Sequence, residues 1–272
     1  MATATYAGVS GVNRKMTKIP VGVGGVNRNC KAAWAGVGGV NRQVFSSGQP
    51  ISNLAVGSIV KCTVSGTLRS FIIVQKGKPS TEYASDCDGV WLMSQNSHSL
   101  QKWHDNVTEK IGVEKTTLYS YLNSTYYNAI QPSVRGQILY STHFQRDYNT
   151  WGSNDELTYQ AYVFLCTADE AGSGSINGSL GSNLDYFPNR NGEYEPRECT
   201  DYNGNAVRAW WTSSAHYRGN MGLLIRTFRG DNGDSIDYYS NSTVVGVRPF
   251  FILPHTALIG EKAESDGSYI LQ

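Results

Sequence analysis

The stretch Ser58-Ile59-Val60-Lys61-Cys62-Thr63-Val64-Ser65-Gly66-Thr67-Leu68-Arg69-Ser70-Phe71-Ile72-Ile73-Val74-Gln75 decides the fold class. Its first half alternates apolar and polar residues, its second half runs apolar, and Ser65-Gly66-Thr67 separates them. That pattern predicts an antiparallel β-hairpin. Further along, Gly89–Ser94 (GVWLMS) predicts another short strand. Between Glu114 and Ile130 the apolar residues Leu118, Tyr121, Leu122, Tyr126 and Ile130 recur at spacings of three and four. This is an amphipathic helix, with Thr116 or Thr117 as N-cap and Pro132 just past its end.

Gln160–Cys166 (QAYVFLC) predicts a buried strand followed by an acidic helical turn at Ala168-Asp169-Glu170. Gly172–Asn205 is rich in Gly, Ser and Asn without periodicity and predicts loop. Trp210-Trp211-Thr212 and Met221–Phe228 read as strand, and Gly230-Asp231-Asn232-Gly233-Asp234 as a tight turn. Ser235–Ser240 and Val244–Leu253 then close the sheet, with Gly246 and Pro249 limiting the last strand's pairing. One central helix, long loops and an antiparallel sheet predict an α+β domain over residues 46–272.

Residues 1–45 have a different character. Gly8-Val9-Ser10-Gly11-Val12-Asn13-Arg14 recurs as Gly22-Val23-Gly24-Gly25-Val26-Asn27-Arg28 and as Gly36-Val37-Gly38-Gly39-Val40-Asn41-Arg42, at 14-residue intervals. A unit this short is no domain and an isolated hairpin is marginal in water, so each copy needs something to dock on. Strand, glycine turn and second strand is the conformation that the pattern suits. A plain linker need not repeat Val, Asn and Arg in register, so the arm is expected to be an anchor. Its candidate contacts are Val12, Asn13, Arg14, Val26, Asn27, Arg28, Trp34, Val40, Asn41 and Arg42. The glycines do not make a dinucleotide-binding loop, because Asn27 and Asn41 stand where that fingerprint needs its third glycine.

Composition narrows the class. Of 272 residues only 17% are charged, 29 are glycine and 17 are tyrosine, against roughly 25% charged and 7% glycine in ordinary domains. A net charge of +1 leaves no electrostatic footprint for nucleic acid. No run of apolar residues is long enough to span a membrane. The start MATATYAGVS lacks the basic region and apolar core of a signal peptide, so synthesis in a cytosol without export by that route is expected. Cys30, Cys62, Cys87, Cys166 and Cys199 are odd in number and scattered, which fits buried free thiols better than disulfides or a zinc site.

Six phrases then stand in a specific order: GSIVKCTVSGTLRSFIIVQKGKPSTEY, DGVWLMS, TTLYSYLNSTYYNAI, AYVFLCTADEAG, RAWWTSS and GVRPFFIL. With the GVGGVNR-type repeats, this order resembles a large family of uncharacterised proteins encoded in prophages of gram-positive bacteria, over nearly the whole chain. The resemblance implies a C-type-lectin-like domain, related to the formylglycine-generating-enzyme branch of that fold, on the tail or capsid of a phage particle. The family's WWLRSP phrase is here Trp210-Trp211-Thr212-Ser213-Ser214-Ala215, with Ser213 for the usual Arg and Ala215 for the Pro. The GVRP phrase is intact at Gly246-Val247-Arg248-Pro249.

Candidate sites follow from the residues. Trp210 and Trp211 offer a sugar-stacking platform, but neighbours on a strand face opposite ways, so at least one is expected in the core. Arg248, in an apolar strand, is expected to be an internal charge paired with a carboxylate, since an unpaired one costs several kcal/mol. Asp231, Asp234 and Asp237 lack the EF-hand spacing and read as turn residues rather than calcium ligands. No metal or cofactor is expected. His98, His104, His143, His216 and His255 are dispersed, and no hydrolase, zinc-protease or Walker motif is present, so no enzyme is expected. The activity of the formylglycine-generating relatives needs reactive cysteines, and Cys166 and Cys199 form no matching pair.

His216–Thr243 mixes Tyr, Asn, Ser, Asp and Arg with Gly, the vocabulary of adaptable binding surfaces. Its candidate contacts are Tyr217, Arg218, Asn220, Arg229, Tyr238, Tyr239 and Asn241. The expected function is a multicopy or homo-oligomeric virion protein, anchored to other virion proteins by its repeats and presenting the domain to a host-surface glycan or protein. The alternative is a purely structural capsid-decoration or tail-assembly subunit.

Overall fold

The computed structural model describes residues 6–9, 12–15, 19–23, 26–30, 32–37, 40–46, 48–106, 111–146, 156–173, 180–187, 195–217, 223–239, 244–260 and 263–272. In the arm, β1 (Tyr6–Val9) pairs with β2 (Val12–Lys15), β3 (Ile19–Val23) with β4 (Val26–Cys30), and β5 (Ala32–Val37) with β6 (Val40–Ser46). All three pairs are antiparallel and share the register next to the turn, where Val9↔Val12, Val23↔Val26 and Val37↔Val40 end the ladders, and the third shifts register between Ala33 and Trp34. The sequence repeat is therefore a repeat of backbone pairing. The side chains of the candidate anchor residues lie outside the described part.

After β7 (Gln49–Pro50), the decisive hairpin is present as β8 (Ile59–Val64) and β9 (Thr67–Lys76), paired from Val64↔Thr67. Ser65 (φ 50°) and Gly66 (φ 77°) both lie in the left-handed region, the conformation of a two-residue type I′ turn, whose twist matches the flanking strands. β10 (Val90–Ser94) follows, all five residues buried, and β11 (Ser99–Gln101) after it.

The central helix starts at Thr117, where the Thr116 hydroxyl accepts the Tyr119 N–H at 3.0 Å. Leu118, Leu122, Tyr126 and Ile130 bury its inner face. It is not α-helical throughout, because Tyr121–Tyr126 is π-helical. Asn123 Nδ2 and Ser124 Oγ donate to the carbonyls of Tyr119 and Ser120, four residues back. They compete with the backbone ladder, and the helix widens there. Pro132, read as the residue just past this helix, also opens a short one of its own, Pro132–Arg135, in the first-turn position that suits proline.

β12 (Ser141–Arg146) and β13 (Glu156–Ala161) form a two-stranded sheet. The strand expected over Gln160–Cys166 ends at Ala161. Asn123 Oδ1 accepts the N–H groups of Tyr162 and Val163 at 2.9 and 3.1 Å, and Phe164 pairs only with Phe250. The apolar run reflected burial, not a continuous ladder.

The remaining strands are β14 (Trp210–Tyr217), β15 (Leu223–Phe228), β16 (Ser235–Tyr239), β17 (Val245–Val247), β18 (Phe250–Leu253), β19 (Leu258–Ile259) and β20 (Tyr269–Ile270). The expected single antiparallel sheet is instead two five-stranded sheets, ordered β18-β10-β9-β8-β20 and β11-β17-β14-β15-β16. Each is mixed, with β20 parallel to β8 and β17 parallel to β14. Val244–Leu253 does not close one sheet. It breaks at Arg248-Pro249, so that β17 lies in one sheet and β18 in the other. One core runs through both, with Phe71 against Phe251 (5.1 Å), Trp91 against Phe164 (5.4 Å) and Trp210 against Phe228 (4.9 Å). The chain is α+β, mostly strand with one principal helix.

Candidate functional site

Thr167-Ala168-Asp169-Glu170 is the sequence signature of a capped turn, and both reciprocal bonds are made. Glu170 N–H donates to Thr167 Oγ1 at 3.0 Å, and Thr167 N–H to Glu170 Oε2 at 2.8 Å. Gly172 (φ 73°) ends the turn, with Gly172 N–H on Asp169 O and Ser173 N–H on Ala168 O, both at 2.9 Å. These two bonds make a Schellman C-cap. The turn is also stitched to more distant chain. Leu180 N–H donates to Asp169 Oδ2 and Thr167 Oγ1 to Leu180 O. Tyr83 Oη donates to Glu170 Oε1 and accepts the Ser182 N–H.

Two of the sequence phrases hold this region in place. β14 bulges between Trp211 and Ala215. There Ser213 N–H donates to Cys166 O, and Ser214 Oγ accepts the Ala168 N–H at 2.8 Å. At the start of the same strand, Trp210 Nε1 donates to Arg197 O at 2.7 Å. Arg248 Nη1 donates to the carbonyls on either side, Pro196 and Glu198, each at 3.4 Å. Three successive carbonyls of the turn around Arg197 are thus held by the tryptophan phrase and the GVRP phrase.

The expected carboxylate partner of Arg248 is not what the structure provides. Its guanidinium is 1% exposed and donates instead to carbonyls, adding Ser94 O at 3.2 Å and Gln95 O at 3.3 Å, while lying 5.0 Å from the Trp210 ring centre. Oriented carbonyl dipoles and an aromatic face do the solvating that one anion was expected to do. The sugar platform is overturned too. Both Trp210 and Trp211 are fully buried, the second donating from Nε1 to Gln101 O at 2.7 Å.

Between the capped turn, the Arg197 turn and the β15–β16 connection lies a polar cleft of about 330 Å³. Ser173, Arg197, Arg229, Asp234 and Ser235 supply its polar groups and Ile236 its aliphatic surface. Arg197 is buried, its guanidinium 5.4 Å from the centre of the Phe228 ring. Arg229 is exposed and grips Asp231 through two parallel bonds, Nε to Oδ1 at 3.1 Å and Nη2 to Oδ2 at 2.9 Å. Those hydrogen bonds hold the Asp231 carboxyl below the ordinary carboxylate range. The connection is the tight turn expected, closed by Arg229 N–H on Asp234 O and Gly233 N–H on Arg229 O. Gly230 makes it possible: a Cβ there would sit 2.1 Å from Val207 O.

Of the sequence candidates, Arg229 lines the cleft. Tyr217 lies on β14, and Tyr238 and Tyr239 on β16, by backbone alone. Arg218, Asn220 and Asn241 fall outside the described residues. Arg197, Ser173 and Ser235 were missed. The capping box and its glycine would have marked Ser173, whereas nothing local distinguishes Arg197.

Several titratable groups elsewhere are packed into the interior. His143 is buried, stacked 3.6 Å from the Phe164 ring centre, and burial lowers its pKa to about 3. Burial and Arg69 lower His98 to about 4. Cys62, Cys87, Cys166 and Cys199 are free and buried, and burial raises the first two to about 12. Among the described residues no three His, Cys, Asp or Glu side chains are grouped to hold a metal ion, and no helix is long and apolar enough to cross a membrane.

Residues 88–255 match a family described as Domain of unknown function (DUF6273). No curated protein and no solved structure matches the chain. The two ends of the matched segment meet, His255 Nε2 lying 3.1 Å from Asp88 Oδ1, and every residue lining the cleft falls between them. With well over half of its length matched, the chain belongs to the DUF6273 family.

Proposed function

We propose that this chain is a non-enzymatic surface protein of a phage particle, attached through its hairpin arm and holding a host-surface saccharide in the cleft at Arg197 and Arg229. The observation that carries the saccharide reading is the cleft's mixture of groups. Guanidinium and hydroxyl donors stand beside the Asp234 acceptor, on turns fixed from the core. Vicinal hydroxyls of a sugar need donors and acceptors side by side, and specific sites place a few such groups on rigid supports. A volume of about 330 Å³ is at the lower end of small-ligand sites, suited to one or two sugar rings.

The virion role and the C-type-lectin-like assignment rest on the order of the six phrases. The two small mixed sheets, single helix and long loops support them, as does the register that the three arm hairpins share next to the turn. An open cleft of this size favours weak single contacts, so adhesion comes from many copies. Immunogold labelling of intact particles with an antibody to the globular part tests the location. Gold on the particle surface, with adsorption blocked by that antibody, is expected. Unlabelled particles overturn the virion role, and labelled particles whose adsorption is unaffected favour the purely structural alternative.

A further inference from the structure

The cleft allows its ligand to be narrowed, on the saccharide reading above. Arg229 and Asp231 are two residues apart, and their side chains are 44% and 50% exposed. An exposed pair of this kind contributes little to stability. The guanidinium is nonetheless already turned edge-on to a carboxylate through Nε and Nη2, the bidentate geometry in which arginine grips carboxylates and phosphates. Arg197, over the Phe228 ring, also lines the cleft, from a segment clamped by Trp210 and Arg248. Asp234 also lines the cleft, and it repels a second acid group while accepting from a hydroxyl.

We propose that the cleft takes an acid-bearing saccharide, with a single carboxylate or phosphate displacing Asp231 from Arg229 while a sugar hydroxyl meets Asp234. Asp231 is then a built-in competitor. It keeps the arginine fork oriented when the cleft is empty and gives it up to a ligand anion. The shared chemistry is an anionic oxygen pair on a polyhydroxylated chain, supplied by a uronic acid or by a polyol phosphate.

The test is calorimetry of the full chain at low salt with three probes: a glucuronate-containing disaccharide, its neutral parent, and the parent carrying glycerol phosphate. At least one acidic probe is expected to bind tenfold or more tightly than the neutral one, and the pair identifies carboxylate or phosphate as the source. Arg229→Gln is expected to reduce the acidic probe to the neutral level. Asp231→Asn is expected to tighten it about two- to fivefold, the modest gain from removing an exposed competitor. Both sites are exposed, and unchanged thermal midpoints verify that the variants fold. Equal binding of neutral and acidic probes overturns the acid inference and leaves the saccharide reading standing. Weaker or unchanged binding by Asp231→Asn overturns the competitor role. If no probe binds to the folded chain the inference fails, and a broad glycan array then judges the saccharide reading separately.

Discussion

Arg248 is the residue on which two distant parts of the molecule depend. Its guanidinium joins the end of β10, through Ser94 and Gln95, to the carbonyls around Arg197. Replacing it by Met removes the donors to the buried Ser94 carbonyl and to three part-buried ones, and a buried acceptor left unpaired costs about 1–3 kcal/mol. Arg248→Met is therefore expected to lower unfolding stability by about 3 kcal/mol or more, read as a fall in urea midpoint. A change below about 0.5 kcal/mol, the scale of surface substitutions, would show that the clamp is idle. The sequence marked Arg248 as internal but not its partners, because backbone carbonyls carry no side-chain identity. Glu170 supplies a second test. Burial raises its pKa to about 7, with Asp169 adding to the shift and bonds from Thr167 and Tyr83 opposing it. A raised folded-state pKa means that the native protein binds more protons than the unfolded chain between the ordinary glutamate range and pH 7. Glu170 thus adds stability as pH falls through 7, at up to about 1.4 kcal/mol per unit. His98 and His143, lowered to about 4 and about 3, act in the opposite sense and lose stability as pH falls below 6.5. In Glu170→Gln the acid-side loss is expected to steepen, which thermal midpoints from pH 5 to 8 would measure.

Among the elements, the central helix was legible from its spacing, and the turn at Ser65-Gly66 from its chemistry. The π-helical stretch and the early end of β13 were not, and Asn123 takes part in both, with Ser124 beside it in the first. Asn123 reaches back to Tyr119 O and across to Tyr162 N–H, Val163 N–H and Val163 O, between 2.9 and 3.2 Å. Periodicity sees only that positions 161 to 166 are apolar or aromatic, and a half-buried side-chain amide that takes over the strand's hydrogen bonds leaves no apolar signature. Asn123→Ala is expected to cost about 2–3 kcal/mol, from the orphaned Tyr162 and Val163 groups, while Asn128→Ala on the exposed side of the same helix is expected to cost under about 0.5 kcal/mol. Amide exchange should speed up at Tyr162 and Val163 in the first variant and not in the second. The break at Arg248-Pro249 was half visible. Proline limits pairing on either side, but that the chain changes sheets there depends on Arg248 finding carbonyl partners at the strand ends.

At the scale of the whole molecule, the phrases that recur in order are the fasteners of the cleft rather than its contact surface. The tryptophan phrase holds the Arg197 turn at one end and the capped turn at Cys166–Ala168 at the other, and the GVRP phrase crosses between the sheets and clamps the same Arg197 turn. The residues that line the cleft lie in the connections between these fasteners, where composition hinted at binding but could not bring Ser173, Arg197 and Arg229 together across the sequence. The most direct measurement is a glycan array probed with the full chain displayed in many copies on beads, wild type beside Arg229→Gln. The predicted result is a defined set of bound saccharides whose signal falls at least tenfold in Arg229→Gln at an unchanged thermal midpoint. No bound saccharide, or the same signal from both proteins, would contradict it.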